Sequence, residues 1–371
     1  MIAGDLSHDL DDAQAEILGV FLARMQQVGS TEIWNVDHFM AMFGMSDPRF
    51  VRVMVDAHLR LIEAGDAEAV VDFWNPYACI AARVAARPLA TVIQADLHPE
   101  SRGFLWWRDP PPDVPTPVAA VNEALAHYGL EAVGSVSELL LGDVTLVVGI
   151  PEVDPLPATA DVTYVGPVLW EHPDARTPSW VDDLDPGVPL VWLYPGNLRY
   201  APMGLTTPFD SAVVLAACIE ALGDQAVQVV MTTGHHELPE EFAALPGNFR
   251  HEAYVPGLWM AERSDVLIHH GGYGSCQTGL YAGTPALVIP TYSERESNAR
   301  RIAEQGAGAF VVPDVDASGT SARVDADVVR AKVFEILDDP AYTANARRIS
   351  TRLRTYGGAV TAADAVERLS S

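Results

Sequence analysis

Cysteine is scarce in this chain of 371 residues, which contains only Cys79, Cys218 and Cys276. The three residues lie far apart in the sequence and include no CxxC pair, so the pattern predicts neither a zinc site nor a disulfide framework. Cys276 follows a run of glycines, but we interpret it as a small buried thiol rather than as a nucleophile. We therefore expect no metal centre.

Positive charge, long apolar runs and targeting signals are also scarce. The chain has 23 basic against 50 acidic residues, and its net charge is -27. A surface this acidic repels nucleic acid and anionic lipid. No apolar run reaches the ~18 residues of a membrane span, and no secretion signal opens the chain. We therefore expect a cytoplasmic protein with no nucleic acid partner and no membrane span.

The most informative stretch is residues 264–308, which opens with an apolar, β-branched segment at residues 266–268. Such a segment is typical of a strand buried on both faces of a parallel sheet. A turn of histidines and glycines follows, and then a helical pattern begins. The first N–H groups of a helix have no internal partner and carry partial positive charge, so this junction suits a phosphate.

The turn contains five candidate ligands for that phosphate. Gly272 and Gly274 let the backbone approach a ligand closely and adopt positive φ. Ser275 can cap the helix or donate its hydroxyl to the anion, and His270 can direct a further donor at a phosphate oxygen. Gly271, between His270 and Gly272, is the fifth candidate. The predicted diphosphate ligands of the turn are therefore His270, Gly271, Gly272, Gly274 and Ser275.

A second polar loop follows the next strand of this stretch. Residues 286–289 have the composition of a buried strand, and residues 292–295 form a polar loop before another helical pattern. Ligands of open parallel sheets bind at the carboxyl ends of the strands, so this loop and the glycine turn are expected to face one crevice. The HHGGYGS and SNARR motifs on either side of it predict a nucleotide-sugar site rather than an ordinary βαβ unit.

The stretch resembles the donor-binding region of GT-B glycosyltransferases, in particular the bacterial natural-product branch of the UDP-glycosyltransferase superfamily. The matching residues are 270–275, 283–290 and the pair Asn298-Ala299, and the resemblance extends over about residues 69–371. It implies an α/β protein of the GT-B fold, in which two Rossmann-like, doubly wound domains face a cleft.

The resemblance also implies a division of the chain. We expect residues 1–175 to form the acceptor-binding domain and residues 176–355 to form the nucleotide-sugar donor-binding domain. Residues 356–371 are expected to form a terminal helix that packs back on the first domain. The usual opening βαβ unit is not visible before residue 69, so the first domain is expected to be reduced. A misplaced start site, a fragment and a genuinely reduced domain are the open alternatives.

Further donor-side candidates come from the resemblance. Glu294 stands at the acidic position that holds sugar hydroxyls in the family, whereas Arg295 stands where glutamine is usual. We hypothesise either that the donor sugar carries an acidic or additional acceptor group, or that Arg295 pairs with Glu294. The resemblance assigns four more residues, two to a phosphate-side loop and two to the nucleotide base: Gly196 and Asn197, and Val255 and Trp259.

The catalytic base is less well defined by the sequence. A base must lie within hydrogen-bond reach of the attacking oxygen. By resemblance, Asp72 matches an aspartate that orients a catalytic histidine, but the usual position of that histidine is not in this chain. Asp72 is therefore the best remaining candidate, and His8, in an early polar turn, is a weaker one. The Pro- and Trp-rich residues 99–117 form either an acceptor pocket wall or aromatic packing under their loop.

Together these features predict a glycosyltransferase that moves a sugar from a UDP- or TDP-sugar to a small-molecule acceptor such as a secondary metabolite. We expect inversion at the anomeric carbon, no metal and no cofactor, because the helix start can take the charge of the leaving diphosphate. The alternatives are a nucleotide-sugar epimerase and a non-catalytic helper protein that binds nucleotide sugars. A homodimer is also left open.

Overall fold

The structure is a computed structural model, and it describes residues 33–105, 110–171, 177–196, 211–234, 236–291, 294–315 and 322–369. The candidates His8 and Asn197 lie outside these residues. So do residues 1–32, where the sequence shows no opening βαβ unit. The described residues contain two parallel sheets, one in each half of the chain, and one short antiparallel pair of strands.

The first half forms a four-stranded parallel sheet in the order β1-β2-β3-β4. Its strands are β1 (Val70–Asp72), β2 (Leu89–Ile93), β3 (Val144–Val147) and β4 (Thr163–Tyr164). Its helices are α1 (Val36–Met40), α2 (Pro48–Ala64), α3 (Pro76–Val84) and α4 (Val118–His127). Shorter helical turns span Ala41–Met45, Ala95–Leu97 and Val136–Leu140.

The second half forms a six-stranded parallel sheet in the order β10-β9-β8-β5-β6-β7. Its strands are β5 (Leu190–Tyr194), β6 (Gln228–Thr232), β7 (Phe249–Glu252), β8 (Val266–His269), β9 (Ala286–Val288) and β10 (Gly308–Phe310). The helices are α5 (Ser211–Leu222), α6 (Gly257–Ala261), α7 (Tyr273–Ala282), α8 (Arg295–Glu304), α9 (Ala326–Asp338), α10 (Pro340–Leu353) and α11 (Ala359–Leu369). The antiparallel pair is β11 (Asp314–Val315) and β12 (Ala322–Arg323), and short turns span Ser179–Asp183 and Glu240–Phe242.

Helices cover both faces of the six-stranded sheet, as expected of a doubly wound fold. One face buries α5 and α9 against the strands, through residues such as Val214 and Val329. The other face buries α7, α8 and α10, through residues such as Leu280 and Ile349. Strand β8 is buried along its whole length, which explains why its residues are apolar rather than alternating.

The two halves of the chain share apolar contacts. Ile150 and Val153, which follow β3, are buried together with the helices on the second sheet. At the other end of the chain, Ala365 of α11 is buried against Leu146 and Val165 of the first sheet. The last helix therefore contacts the first sheet, although it follows the second sheet in the sequence.

The predicted fold class is confirmed by these two parallel sheets and their flanking helices. The strand order of the second sheet is that of a Rossmann-type domain. None of the helices in the described residues has the length and apolar composition needed to span a membrane. The domain boundaries at residues 175 and 355 stay predictions.

Candidate functional site

The strand order of the six-stranded sheet reverses at its centre, between β5 and β8. From β5 the chain proceeds to β6 and β7 on one side, and from β8 it proceeds to β9 and β10 on the other. Ligands of open parallel sheets bind outside the carboxyl ends of the strands at such a point. Tyr194 at the end of β5 is paired directly with His269 at the end of β8. The loops after the two strands therefore begin side by side.

These two loops meet at Gly196 and His270. Gly196 follows β5, is buried, and has a φ of 102°. A Cβ atom at this position would lie 3.1 Å from Cγ and Nδ1 of His270 and 3.1 Å from Oγ of Ser211. A glycine is therefore needed for the chain after β5 to pass so close to the turn after β8. The structure thus brings together two predicted phosphate-side residues from separate segments.

The start of α7 has the geometry of an anion site. The helix begins at Tyr273, after Gly272, and no side chain among the described residues caps it. Its first amides therefore lack the acceptor that a capping residue usually provides. Gly274 is exposed, and a Cβ atom there would meet nothing within 4 Å in the described structure. The surface beside these amides, next to the half-buried Ser275, is therefore open.

Two buried, neutral histidines support the turn. Burial lowers the pKa of His269 to about 3, and its Nδ1 accepts a hydrogen bond of 3.1 Å from the Gly271 amide. Burial and then the charge of Arg295 hold the pKa of His270 well below its usual range. Nδ1 of His270 is buried and has no partner among the described residues. His270 can therefore offer a ligand a hydrogen bond but no positive charge at neutral pH.

The predicted sugar-side residues lie where α8 begins. Glu294 is the residue before the helix, and Arg295 is its first residue. The Arg295 guanidinium donates to the Thr291 hydroxyl. The Asn298 side chain donates to the Gly271 carbonyl over 2.9 Å, so α8 is attached to the glycine turn. The structure therefore places the predicted sugar-side and phosphate-side residues together at the carboxyl ends of the strands of one sheet.

The predicted base-side residues lie on and before α6. Val255 is buried, whereas Trp259 is half-buried and carries the Arg263 guanidinium 4.2 Å from its ring centroid. Glu171 from the segment between the sheets accepts hydrogen bonds from the amides of Leu258, at 2.9 Å, and Trp259, at 3.4 Å. These amides at the start of α6 are therefore engaged by a carboxylate that the sequence analysis did not connect with them.

Asp72 ends β1 in the first sheet and is buried. Its two oxygens lie 3.2 and 3.0 Å from the Asn75 amide, which donates to them, and the Cys79 thiol donates to Oδ2 over 3.3 Å. Burial raises the pKa of this carboxyl group. The side-chain nitrogen of Asn75, Nδ2, also lies 3.0 Å from Nε2 of His58. His58 belongs to α2, so no motif or spacing indicated that it would lie near this strand end.

A group of buried charges that sequence reasoning missed lies where the two sheets face each other. Arg301 of α8 contacts Asp96 and Asp154, which follow β2 and β3, at 2.9 Å each. All three are buried. Tyr273, in the glycine turn, donates to the Val148 carbonyl just after β3. In the sequence, Arg301 stood out only as the last residue of the SNARR motif. Asp96 lies 205 positions away, and no pattern connects the two residues.

Comparisons with known proteins agree with this architecture. Residues 216–355 match the family described as erythromycin biosynthesis protein CIII-like, C-terminal domain. The chain is 30% identical to 4'-demethylrebeccamycin synthase of Lentzea aerocolonigenes over 210 residues, which are 56% of this chain and 45% of that protein. It is 34% identical to the NDP-glycosyltransferase YjiC of Bacillus licheniformis over 150 residues, which are 40% of this chain and 36% of that protein. The crystal structure of CalG4, the calicheamicin glycosyltransferase, superimposes with a TM-score of 0.64 at 22% identity and covers 87% of this chain and 80% of that one.

The matched regions span less than half the length of these two relatives, and the likeness to the solved structure concerns the fold. The two parallel sheets with helices on their faces are consistent with the superposition on that structure. The chain has the GT-B fold, and its residues 216–355 match the family described as erythromycin biosynthesis protein CIII-like, C-terminal domain.

Proposed function

We propose that this chain is a glycosyltransferase that moves a sugar from a nucleotide-diphosphate sugar to a hydroxyl group of a small-molecule acceptor. The observation that carries the proposal is the uncapped start of α7 at the switch point, where Gly196 and the buried His270 converge. An open helix start beside a buried ring nitrogen that has no partner among the described residues suits a diphosphate. The relatives, which include an NDP-glycosyltransferase, support the same conclusion.

The proposed reaction breaks the bond between the anomeric carbon and the β-phosphate oxygen, and it forms a bond from that carbon to the acceptor oxygen. The bonding electrons leave with the nucleoside diphosphate. The amides of α7 and an N–H of His270 stabilise the charge that develops there. The acceptor hydroxyl attacks from the opposite face and loses its proton to a base, so the configuration is inverted.

Glu294 and Arg295 are proposed to hold the sugar and its diphosphate in line for attack. Both stand at the start of α8, which Asn298 attaches to the Gly271 carbonyl over 2.9 Å. Fixing the anomeric carbon relative to the acceptor raises the rate by positioning alone. Four further proposed contacts complete the donor site, two with the diphosphate and two with the nucleotide base: Asn197 and Ser275, and Val255 and Trp259.

Asp72 is proposed as the group that accepts or guides the proton of the acceptor. It lies at the carboxyl end of a strand of the first sheet, which is where a parallel sheet binds ligands. Burial raises its pKa, which makes the carboxylate a stronger base. The hydrogen bonds from Asn75 and Cys79 fix its orientation.

The acceptor is proposed to be a hydroxylated natural product. 4'-Demethylrebeccamycin synthase and the calicheamicin glycosyltransferase are both named after natural products. We extend that class of acceptor to this chain, and UDP- and TDP-sugars are both proposed as donors.

The substitution Gly274→Asp tests the proposed diphosphate site. A side chain at this position has open space around it, and a carboxylate near a helix start does not disfavour the helix. The new charge would instead repel the diphosphate. We expect the affinity for UDP and TDP, measured by calorimetry, to fall by at least about 10-fold, equivalent to about 1.4 kcal/mol. Turnover of UDP-glucose and TDP-glucose with a panel of phenolic and polyketide acceptors should fall with it.

Gly247→Asp is the matched control. Gly247 precedes β7, and a Cβ atom there also meets nothing within 4 Å among the described atoms, so the same charge is added away from the switch point. Its nucleotide affinity should equal that of the wild type. Unchanged affinity in Gly274→Asp would contradict the proposed site. Binding of nucleotide by the wild type without transfer of either sugar would contradict the proposed activity.

A further inference from the structure

Tyr273 connects the glycine turn to the first sheet. Its hydroxyl donates to the backbone carbonyl of Val148, just after β3, and lies 3.3 Å from Oδ2 of Asp154. The same tyrosine is the first residue of α7, whose amides face the proposed diphosphate. The backbone that would hold the leaving group is therefore attached by its own side chain to the acceptor-side half of the molecule.

Gly149 leaves room for this contact. A Cβ atom at Gly149 would lie 2.8 Å from the Tyr273 hydroxyl and 3.1 Å from Oδ2 of Asp154. The distance of 2.8 Å is shorter than real Cβ contacts, so a larger residue would displace the hydroxyl or the strand end. The glycine after β3 and the tyrosine in the turn are therefore complementary features of two distant segments.

Arg301 continues the connection from Asp154 to a second acid. Its Nε lies 2.9 Å from Oδ1 of Asp154, and its Nη1 lies 2.9 Å from Oδ2 of Asp96. Nη2 donates to the Gly103 carbonyl over 3.3 Å. The arginine side chain is 8% exposed, and the two acids are 2% and 3% exposed. A planar guanidinium can fix both acids at once, which a lysine ammonium cannot do.

Helix α8 is common to both sets of contacts. Its first residue is Arg295, on the proposed sugar side. Ser297 follows, and its hydroxyl oxygen accepts hydrogen bonds from the Leu105 amide at 2.9 Å and from Arg301 at 2.8 Å. Asn298 donates to the glycine turn. A rotation of this helix against the first sheet would therefore move the proposed donor contacts and break the buried contacts together.

We propose that Tyr273 and Arg301 are positioning residues that hold the diphosphate turn in register with the acceptor-side strand ends. This inference rests on the proposed function, because it takes the turn to hold the diphosphate. Burying two carboxylates on one guanidinium is unfavourable unless all of them stay paired. The contacts therefore select one orientation of the two halves, and binding of the donor to the turn is coupled to that orientation.

Tyr273→Phe tests the inference, because it removes one hydroxyl and preserves the ring. The rate of UDP-glucose and TDP-glucose hydrolysis, which needs no acceptor, gives kcat and KM, and calorimetry gives the affinity for UDP and TDP. We expect kcat to fall by at least about 10-fold, because a small misplacement of the reacting groups is costly. Nucleotide affinity should stay within about 2-fold, since the amides of α7 are retained.

Tyr342→Phe is the matched control. The Tyr342 hydroxyl donates to Oε1 of Glu335 over 2.6 Å, so this substitution also removes a hydroxyl that binds a carboxylate, but on α10 and away from the turn. It should leave kcat and nucleotide affinity unchanged. Arg301→Lys is the second test variant. It keeps a positive charge beside Asp96 and Asp154, but it lacks the planar guanidinium that binds both acids at once. It should lower kcat more than it changes KM.

Hydrogen exchange gives a readout that does not depend on turnover. Adding UDP or TDP to the wild type should slow amide exchange in residues 144–154, which include Val148 and Asp154 but do not belong to the glycine turn. Tyr273→Phe should remove that protection and keep the protection of the turn itself. Tyr342→Phe should behave as the wild type does.

The outcomes distinguish failure of the positioning role from failure of the proposed glycosyltransferase activity. Wild-type kcat in Tyr273→Phe, or an equal loss of kcat and nucleotide affinity, would overturn the positioning role. If the wild type binds nucleotide but neither hydrolyses the two donors nor transfers sugar to the acceptor panel, the proposed activity is refuted, and the exchange experiment alone decides the positioning role. Failure of both UDP and TDP to bind would overturn both.

Discussion

At the residue scale, His270 shows what the glycine turn can offer an anion. Its ring lies where the loops after β5 and β8 meet, and burial holds its pKa well below the usual range. The ring is therefore neutral at physiological pH and supplies a hydrogen bond only. Among the described residues, positive potential at the turn comes from the amides of α7 and from Arg295.

Arg295→Gln should consequently weaken nucleotide binding. The charge of Arg295 contributes to the lowered pKa of His270, so the guanidinium lies within electrostatic reach of the turn. We expect the affinity for UDP and TDP to fall by about 3- to 10-fold, as for a partly screened charge beside a phosphate. Turnover of UDP-glucose and UDP-glucuronate should fall alike.

Arg348→Gln, at an exposed position of α10, is the control with the same change of charge, and it should leave nucleotide affinity unaltered. A loss that is confined to UDP-glucuronate would favour the other hypothesis, in which Arg295 reads an acidic group on the sugar.

Asp72→Asn should abolish most transfer and leave nucleotide binding intact. The substitution keeps the shape of the side chain and an oxygen for the Asn75 amide, but it removes the basic group. General base catalysis contributes about 100- to 10,000-fold, and we expect a loss in that range. Transfer is measured with the acceptor panel, and nucleotide affinity is measured by calorimetry.

Asp143→Asn is the matched control for Asp72. Asp143 lies at the opposite end of the same sheet, where its carboxylate accepts a hydrogen bond of 2.8 Å from the Leu89 amide. A transfer rate in Asp72→Asn that equals that of Asp143→Asn would exclude Asp72 as a base or as an orienting group.

At the scale of elements, the sequence predicted the long, apolar or strongly amphipathic segments well. The predicted strands at residues 266–268 and 286–289 coincide, to within one residue, with β8 and β9. Both are apolar runs that end at recognisable residues, histidine and proline.

The glycine turn between β8 and α7 was also predicted, but its backbone conformation was not. Positive φ was expected at Gly272 and Gly274, whereas Gly271 has a φ of 90° and Gly272 a φ of -59°. The helix begins at Tyr273, so Gly274 already lies inside it and keeps a helical conformation.

The elements that the sequence did not predict are short or polar. Strand β7 (Phe249–Glu252) is half-buried along its length and carries three polar residues, so no apolar run marks it. Strand β10 (Gly308–Phe310) has three residues, which is too few for a period of two to show. Their positions follow from pairing with β6 and β9, which is tertiary information.

The same limit applies to the candidate site. The glycines of the turn and the polar residues before α8 follow one another closely in the sequence, so a local pattern indicates them. The contacts of Arg301 with Asp96 and Asp154 join segments that are distant in the sequence and belong to different sheets. Only the packing of the two halves brings these charges together.

At the scale of the whole molecule, the contact between the halves should depend on pH. Burial, against the opposing effect of Arg301 and with a further contribution from Asp96, raises the pKa of Asp154 from 3.8 to about 6. The folded chain then binds this proton more tightly than the unfolded chain does. The contribution of Asp154 to the free energy of unfolding is therefore fully present below about pH 4. It is lost as the pH rises through 6, and the free energy of unfolding falls by about 3 kcal/mol in total.

Asp154→Asn should remove this dependence, because an amide does not titrate. The free energy of unfolding, measured by urea denaturation between pH 4.5 and 7.5 with about half-unit steps, should fall with pH in the wild type relative to the variant. The titratable and charged groups that interact with Asp154 are Arg301, Tyr273 and Cys276 from the second half and Asp96 and Tyr164 from the first. Asp364→Asn, at an exposed position of α11, is the control, and parallel curves for the wild type and Asp154→Asn would contradict the prediction.

The contacts of Tyr273 and Arg301 with the first half have a consequence for engineering. A chimaera that combines this first half with a second half lacking residues equivalent to Tyr273 and Arg301 would retain Asp96 and Asp154 without their partners. Tyrosine and arginine would have to be introduced at those two positions to restore the contacts between the halves.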